Sequence, residues 1–106
     1  MIHVIGHFVV RDPARYLEVF ASSDVRRRHG CVASRLYRLT TDVNAMGAIL
    51  TWPSRAAFEA FQVDPAVRDC MRSSGMLAPP VFAFRLDPEL TAAEAAEMEP
   101  LGEFAS

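Results

Sequence analysis

A chain of 106 residues, 51% of them hydrophobic, carries enough apolar side chain for one compact core and too little length for two. Net charge is only −2, but residues 1–86 hold all 11 basic residues and seven acids, whereas residues 87–106 hold six acids and no base. Every basic residue is an arginine, which excludes Schiff-base lysine chemistry; no apolar run approaches the roughly 20 residues of a membrane helix, and MIHVIGHFVVRD lacks the form of a signal peptide, so a cytoplasmic protein with no membrane partner is expected.

Residues 2–10 (IHVIGHFVV) are β-branched and aromatic and read as a strand ending at Arg11-Asp12-Pro13, where Asp12 caps a helix that Pro13 begins. Tyr16, Leu17, Val19, Phe20 and Val25 recur at helical spacing up to His29, and Gly30 supplies the stop. His29 reads as a residue of the helix end. Residues 31–39 (CVASRLYRL) form a second strand, Thr40 to Asn44 turns the chain, and AMGAILTW, residues 45–52, forms a third. Pro53 and Ser54 open a second helix with Phe58 and Phe61 on its apolar side, kinked near Asp64-Pro65 and continued by Val67, Cys70 and Met71 to Gly75. VFAFRL, residues 81–86, is a fourth strand.

The order β, α, β, β, α, β predicts an α+β, ferredoxin-like antiparallel sheet with helices on one face over residues 1–88. Residues 89–106 read as an acidic helical tail, its start marked by the capping pair Thr91 and Glu94.

The first strand places Ile2, Val4, Phe8 and Val10 on one face and Ile5 and Val9 on the other; the third strand is likewise apolar on both sides. Two helices cover only one face, so the expected partner for the other is a second copy of the chain, a homodimer through the open sheet face. The alternative, in which the C-terminal helix folds back over its own sheet, ranks lower because its alanines are small and its acids many; those acids can instead reach a partner's arginines.

No cofactor is expected, because the sequence has no dinucleotide or phosphate-cradling glycine motif, no nucleophile elbow and no metal-ligand spacing around Cys31 or Cys70, which read as reduced thiols. Arg26, Arg27 and Arg28 are not extended by further bases or interleaved aromatics, so no nucleic-acid partner is expected.

With this element order, the segment TWPSRAAFEAFQVDPAVRDCMRSSG, in which a tryptophan ends a strand, a serine opens a helix and a second helical stretch follows a short break, resembles the dimeric α+β barrel superfamily over residues 2 to about 86. Within it the likeness is to small proteins grouped with antibiotic-biosynthesis monooxygenases. The resemblance implies a cavity between sheet and helices that takes a small aromatic ligand. It also implies cofactor-free oxygenation or polyketide cyclisation, with a non-catalytic binding or accessory module as the alternative. Haem degradation is a third and weaker implication, since the iron-ligating histidine would fall at about Met71.

His3 and His7 lie four residues apart on one strand and share a face, and His7 is the candidate general base. Trp52 is a candidate to stack on a planar ligand and bond its oxygen through the indole N–H; a core role is its alternative. Tyr37 and Arg35, facing one way on the second strand, are candidates for an anionic or enolic oxygen; His3 and Met71 complete the expected ligand-binding set. Tyr16, Phe20, Phe58, Phe61 and Cys70 are assigned to packing, and Asn44 to turn chemistry.

Overall fold

Strand β1 (Ile2–Val9) pairs antiparallel with both β3 (Asp42–Trp52) and β4 (Val81–Arg85), while β2 (Ala33–Leu39) pairs with β3 and with β5 (Met98–Phe104). The result, in this computed structural model describing residues 1–104, is one five-stranded sheet in the order β4-β1-β3-β2-β5. The architecture is α+β and ferredoxin-like, with a fifth strand that the sequence did not announce.

The helices follow their local signals. Asp12 caps α1 (Pro13–Ser22), its carboxylate accepting from the backbone N–H groups of Ala14 and Arg15 at 3.1 and 3.4 Å. The single helix expected to run on to His29 is interrupted: the hydroxyl of Ser22 donates back to Glu18 O, that of Ser23 accepts from Val25 N–H, and a short α2 (Val25–Arg28) follows. Gly30, at φ +87°, then ends it. Ser54 caps α3 (Arg55–Val63), and the kink expected near Asp64 is a full break, at which Asp64 closes α3 and caps α4 (Pro65–Ser73). His29 does sit at a helix end, and its Nε2 lies 2.7 Å from Asp64 Oδ2, tying α2 to the α3–α4 corner. Asn44 is corrected from turn to strand: the hairpin turns at Thr40-Thr41, and the Asn44 amide donates to Val10 O and Arg11 O.

The principal core lies between the sheet and the helices, where Val4, Phe8, Leu36, Met46, Leu50 and Trp52 meet Phe20, Phe58, Phe61 and Val67. A smaller cluster of Ile5, Tyr37, Ile49 and Met98 occupies the opposite face, with Leu39 and Leu90 against it.

That second cluster corrects the expectation of a bare open face. β4 and β5 are opposite edges of the sheet, so the chain joining them must cross every strand. It crosses on the open side as a strap: the Arg35 guanidinium donates to Pro88 O and pairs with Glu89 at 3.0 Å, Arg85 pairs with Glu94 at 2.7 Å, and Leu90 and Met98 close over Ile5 and Ile49. The capping box of Thr91 and Glu94 starts α5 (Ala92–Glu97) as expected, but the chain beyond it becomes strand rather than remaining helical tail. Val9 and Val81 stay exposed at the rim.

Candidate functional site

A cleft opens between the sheet and the helices. Its floor on the sheet is Phe8, Ala48, Leu50 and Phe82, and its walls are Tyr16 and Phe20 of α1, Val25 and Arg26 of α2, Phe61 of α3, and Val67, Cys70 and Met71 of α4. These positions follow from helical spacing: Tyr16, Val19 and Phe20 fall on one face of α1, Val67, Cys70 and Met71 on one face of α4, and each face is buried on the same sheet. The empty space of the cleft is about 60 Å³, room for a few waters, so a ring system seats there only as the flexible Met71 and Met76 side chains swing aside. A wider groove, about 590 Å³ by the same measure, lies outside and shares Met71, Met76, Pro80 and Phe82 with the cleft. Those four side chains stand between the two spaces.

The polar groups of the cleft are few. Arg26 is 5% exposed; its Nε donates to Ser34 Oγ at 3.2 Å, its Nη2 to Phe20 O at 3.0 Å, and its guanidinium lies 3.5 Å over the Phe20 ring. Burial lowers its pKa from the ordinary arginine value, but a guanidinium remains a cation. Burial also pushes the Tyr16 hydroxyl well above the usual phenol range, the Arg26 charge pulling the other way, so Tyr16 is a neutral donor. Cys70 Sγ lies 3.3 Å from Ser23 Oγ, and Ser74 Oγ donates to Met71 O. No histidine or carboxylate lines the cleft among the described residues.

The expected site residues separate onto two faces. Met71 lines both cleft and groove. Trp52 lies on the cleft side of the sheet but one layer too deep: it is fully buried, with its ring centroid 4.8 Å from that of Phe61, which lines the cleft in its place. Its Nε1 has no hydrogen-bond partner among the described residues.

His7 is corrected from the cavity to the open face, where it is exposed in a cross-strand row with Gly47 and Tyr37. His3 shares that face, its Nδ1 2.9 Å from Thr51 Oγ1. Tyr37 is buried there beneath the strap, and Arg35 is held between Glu89 and Glu103 at 3.0 and 3.1 Å. The hydrogen bond to Glu89 raises the Arg35 pKa further, fixing it as a clamp on the strap. Sequence reasoning missed Tyr16, Arg26, Cys70 and Ser74 as cleft groups. The helical spacing that placed Tyr16 and Cys70 in the core was their one signal.

Among the described residues no group of three or more His, Cys, Asp or Glu side chains converges to hold a metal ion, and no helix is long and apolar enough to cross a membrane.

The chain has the fold of solved antibiotic-biosynthesis-monooxygenase-like proteins. Three solved structures illustrate the likeness. SnoaB, a cofactor-independent oxygenase from Streptomyces nogalater solved as a mutant, is 20% identical with TM-score 0.64, over 86% of this chain and 96% of that one. A protein from Caulobacter crescentus assigned as an antibiotic biosynthesis monooxygenase is 19% identical with TM-score 0.64, over 83% and 90%. One from Chloroflexus aurantiacus with the same assignment is 16% identical with TM-score 0.55, over 83% and 95%. At these identities the likeness is one of fold. No family model and no curated protein matches the chain.

Proposed function

We propose that this chain binds a planar, apolar small molecule in the cleft between sheet and helices and acts on it without a cofactor, oxygenating or cyclising an aromatic or polyketide substrate. The observation that carries the reading is the composition of the cleft: aromatic and aliphatic walls, with the buried positive charge of Arg26 and the neutral phenol of Tyr16 as its principal polar groups. A fixed positive charge and a neutral O–H donor suit the oxygen of an enolate or phenolate, whose negative charge they stabilise in an apolar space. In the oxygenating version the substrate carbanion passes electrons directly to dioxygen, a C–O bond forms, and loss of water leaves a ketone. Among the described residues no base lines the cleft, so the substrate enters as its anion.

The test is incubation with an anthrone-like phenol in air, without added flavin, metal or haem. Oxygen uptake above the blank is expected, with Tyr16→Phe lowering turnover by about 10²-fold, the scale of one lost oxyanion donor, and His7→Ala leaving it unchanged. Absence of both oxygen uptake and ligand-induced thermal stabilisation would refute the proposal.

A second reading, a binding or accessory module without turnover, is favoured by the missing titratable base. It predicts thermal stabilisation by the ligand with no product. Pairing of two copies through the rim of the open face, where His7, Val9 and Val81 are exposed, is a separate proposal that sedimentation at micromolar concentration reads directly; a lone subunit refutes it.

A further inference from the structure

We propose that the ligand of the cleft is amphipathic: a flat apolar body seated inside, and an anionic tail that passes between Met71 and Phe82 to lie in the outer groove on Arg68 and Arg72. The proposal rests on the cleft reading above and extends it to the class of substrate.

Three observations carry it. First, cleft and groove adjoin, since Met71, Met76, Pro80 and Phe82 wall both. A molecule too long for the inner cleft extends outward and not into the core. Second, the only charged side chains among the described residues lining the groove are Arg68 and Arg72, and Gln62 is its other polar chain. Arg68 and Arg72 stand four residues apart on α4 and so project from the same face, with Met71 beside them at the passage. A tail emerging past Met71 therefore meets both guanidinium groups within a turn of helix. Third, the remaining groove wall is Leu77, Ala78, Pro79 and the four shared residues, an apolar surface that weakens water's screening of the two charges. Asp69, outside the groove, touches Arg72 at 3.5 Å with both side chains largely exposed, so it offsets Arg72 only in part.

Arginine pairs of this kind choose between ligands that share a ring system. A neutral molecule gains only the burial of its apolar body, whereas an acid adds two charge-assisted contacts in a groove that holds no carboxylate to repel it.

The experiment compares 2-naphthoxyacetate with its neutral isostere 2-naphthoxyacetamide, both titrated by naphthyl fluorescence into the full chain. The anion should bind about 5-fold more tightly at low salt, and the preference should shrink to less than about 2-fold near 0.5 M salt as the charges are screened. Arg68→Gln with Arg72→Gln should lower the affinity for the anion to that for the amide, and Arg68→Glu with Arg72→Glu should reverse the order. Equal affinities in the unmodified protein, or a preference that survives the double glutamine variant, overturn the proposal while leaving the cleft reading intact. Met71→Trp, which plugs the passage, should weaken both ligands. If neither ligand binds, or if Met71→Trp leaves both unaffected, the cleft reading fails and takes this one with it.

Discussion

Gly6→Ala is the smallest perturbation that reaches the passage. Gly6 lies on β1 directly opposite Phe82 of β4, and a methyl group added there would come 2.8 Å from Phe82 Cε1 and 3.0 Å from Cδ1. Carbon atoms rest at about 3.5–4.0 Å, so the ring must retreat by roughly 0.7 Å or tilt. Phe58 limits the retreat, since its ring meets Phe82 edge-on at 5.1 Å between centroids. Overpacking of this kind costs about 1–3 kcal/mol. Removing a glycine from a strand returns about 0.5–1 kcal/mol. The net destabilisation is about 0.5–2 kcal/mol, a fall in Tm of roughly 3–10 °C for a domain of this size. Phe82 stands between cleft and groove with Met71, Met76 and Pro80, so a displaced ring narrows the proposed passage and affinity for a naphthyl ligand should drop several-fold. Thermal melts followed by circular dichroism read the first effect and fluorescence titration the second. The Phe82→Leu background should absorb most of both, giving a non-additive double-mutant cycle. A Tm at or above that of the unmodified protein, with undiminished affinity, would show that Phe82 does not rest on Gly6 and that the passage lies elsewhere.

Two further outcomes test the strap and the helix corner. A methyl group at Gly47 would collide with the terminal methyl of Met98, which is free to swing away; Gly47→Ala should therefore cost little stability yet loosen β5, read as faster amide exchange over residues 98–104, and unchanged protection would contradict the cover assigned to Met98. The hydrogen bond from His29 and the Ala66 N–H hold the Asp64 carboxyl below its ordinary value of 3.8. A depressed acid stabilises the folded state above its unfolded pKa and loses that contribution as pH falls through the folded value. The unmodified protein should thus lose stability on acidification below about pH 4, and Asp64→Ser, which keeps a helix cap but not the pair, should show a shallower acid limb in Tm against pH; identical slopes would refute the pairing.

The ferredoxin-like order was legible because each element carries its own punctuation: Asp12-Pro13, Ser54 and Asp64-Pro65 open helices, and Gly30 and Gly75, both at positive φ, close them. β5 was not legible because MEPLGEF contains Pro100 and Gly102, which argue against a strand. Both are tolerated for a positional reason. β5 is an edge, so the missing N–H of Pro100 leaves no inner ladder incomplete, and the register slips between Leu36 and Tyr37 as the partners pass from Gly102 to Pro100. The strap was ranked low because its alanines are small, but the cover comes from Leu90 and Met98 on either side of α5, while its acids find Arg35 and Arg85 in the same chain.

The site divided on parity. Alternation along β1 puts Val4 and Phe8 on one side and His3, Ile5 and His7 on the other, and a cavity lined by this strand on the helix side can receive only the first set. Taking the strand as a whole for the cavity wall assigned His7 to a space its backbone position forbids. Arg26 failed to stand out for the opposite reason: it sits in a run of three arginines that reads as a solvated face, yet α2 is a single short turn packed against the sheet's end, and one of its three side chains must point inward. That inward position, beside Val25 and over Phe20, is what gives an otherwise apolar cleft a fixed positive charge, which under the proposed function stabilises an anionic ligand.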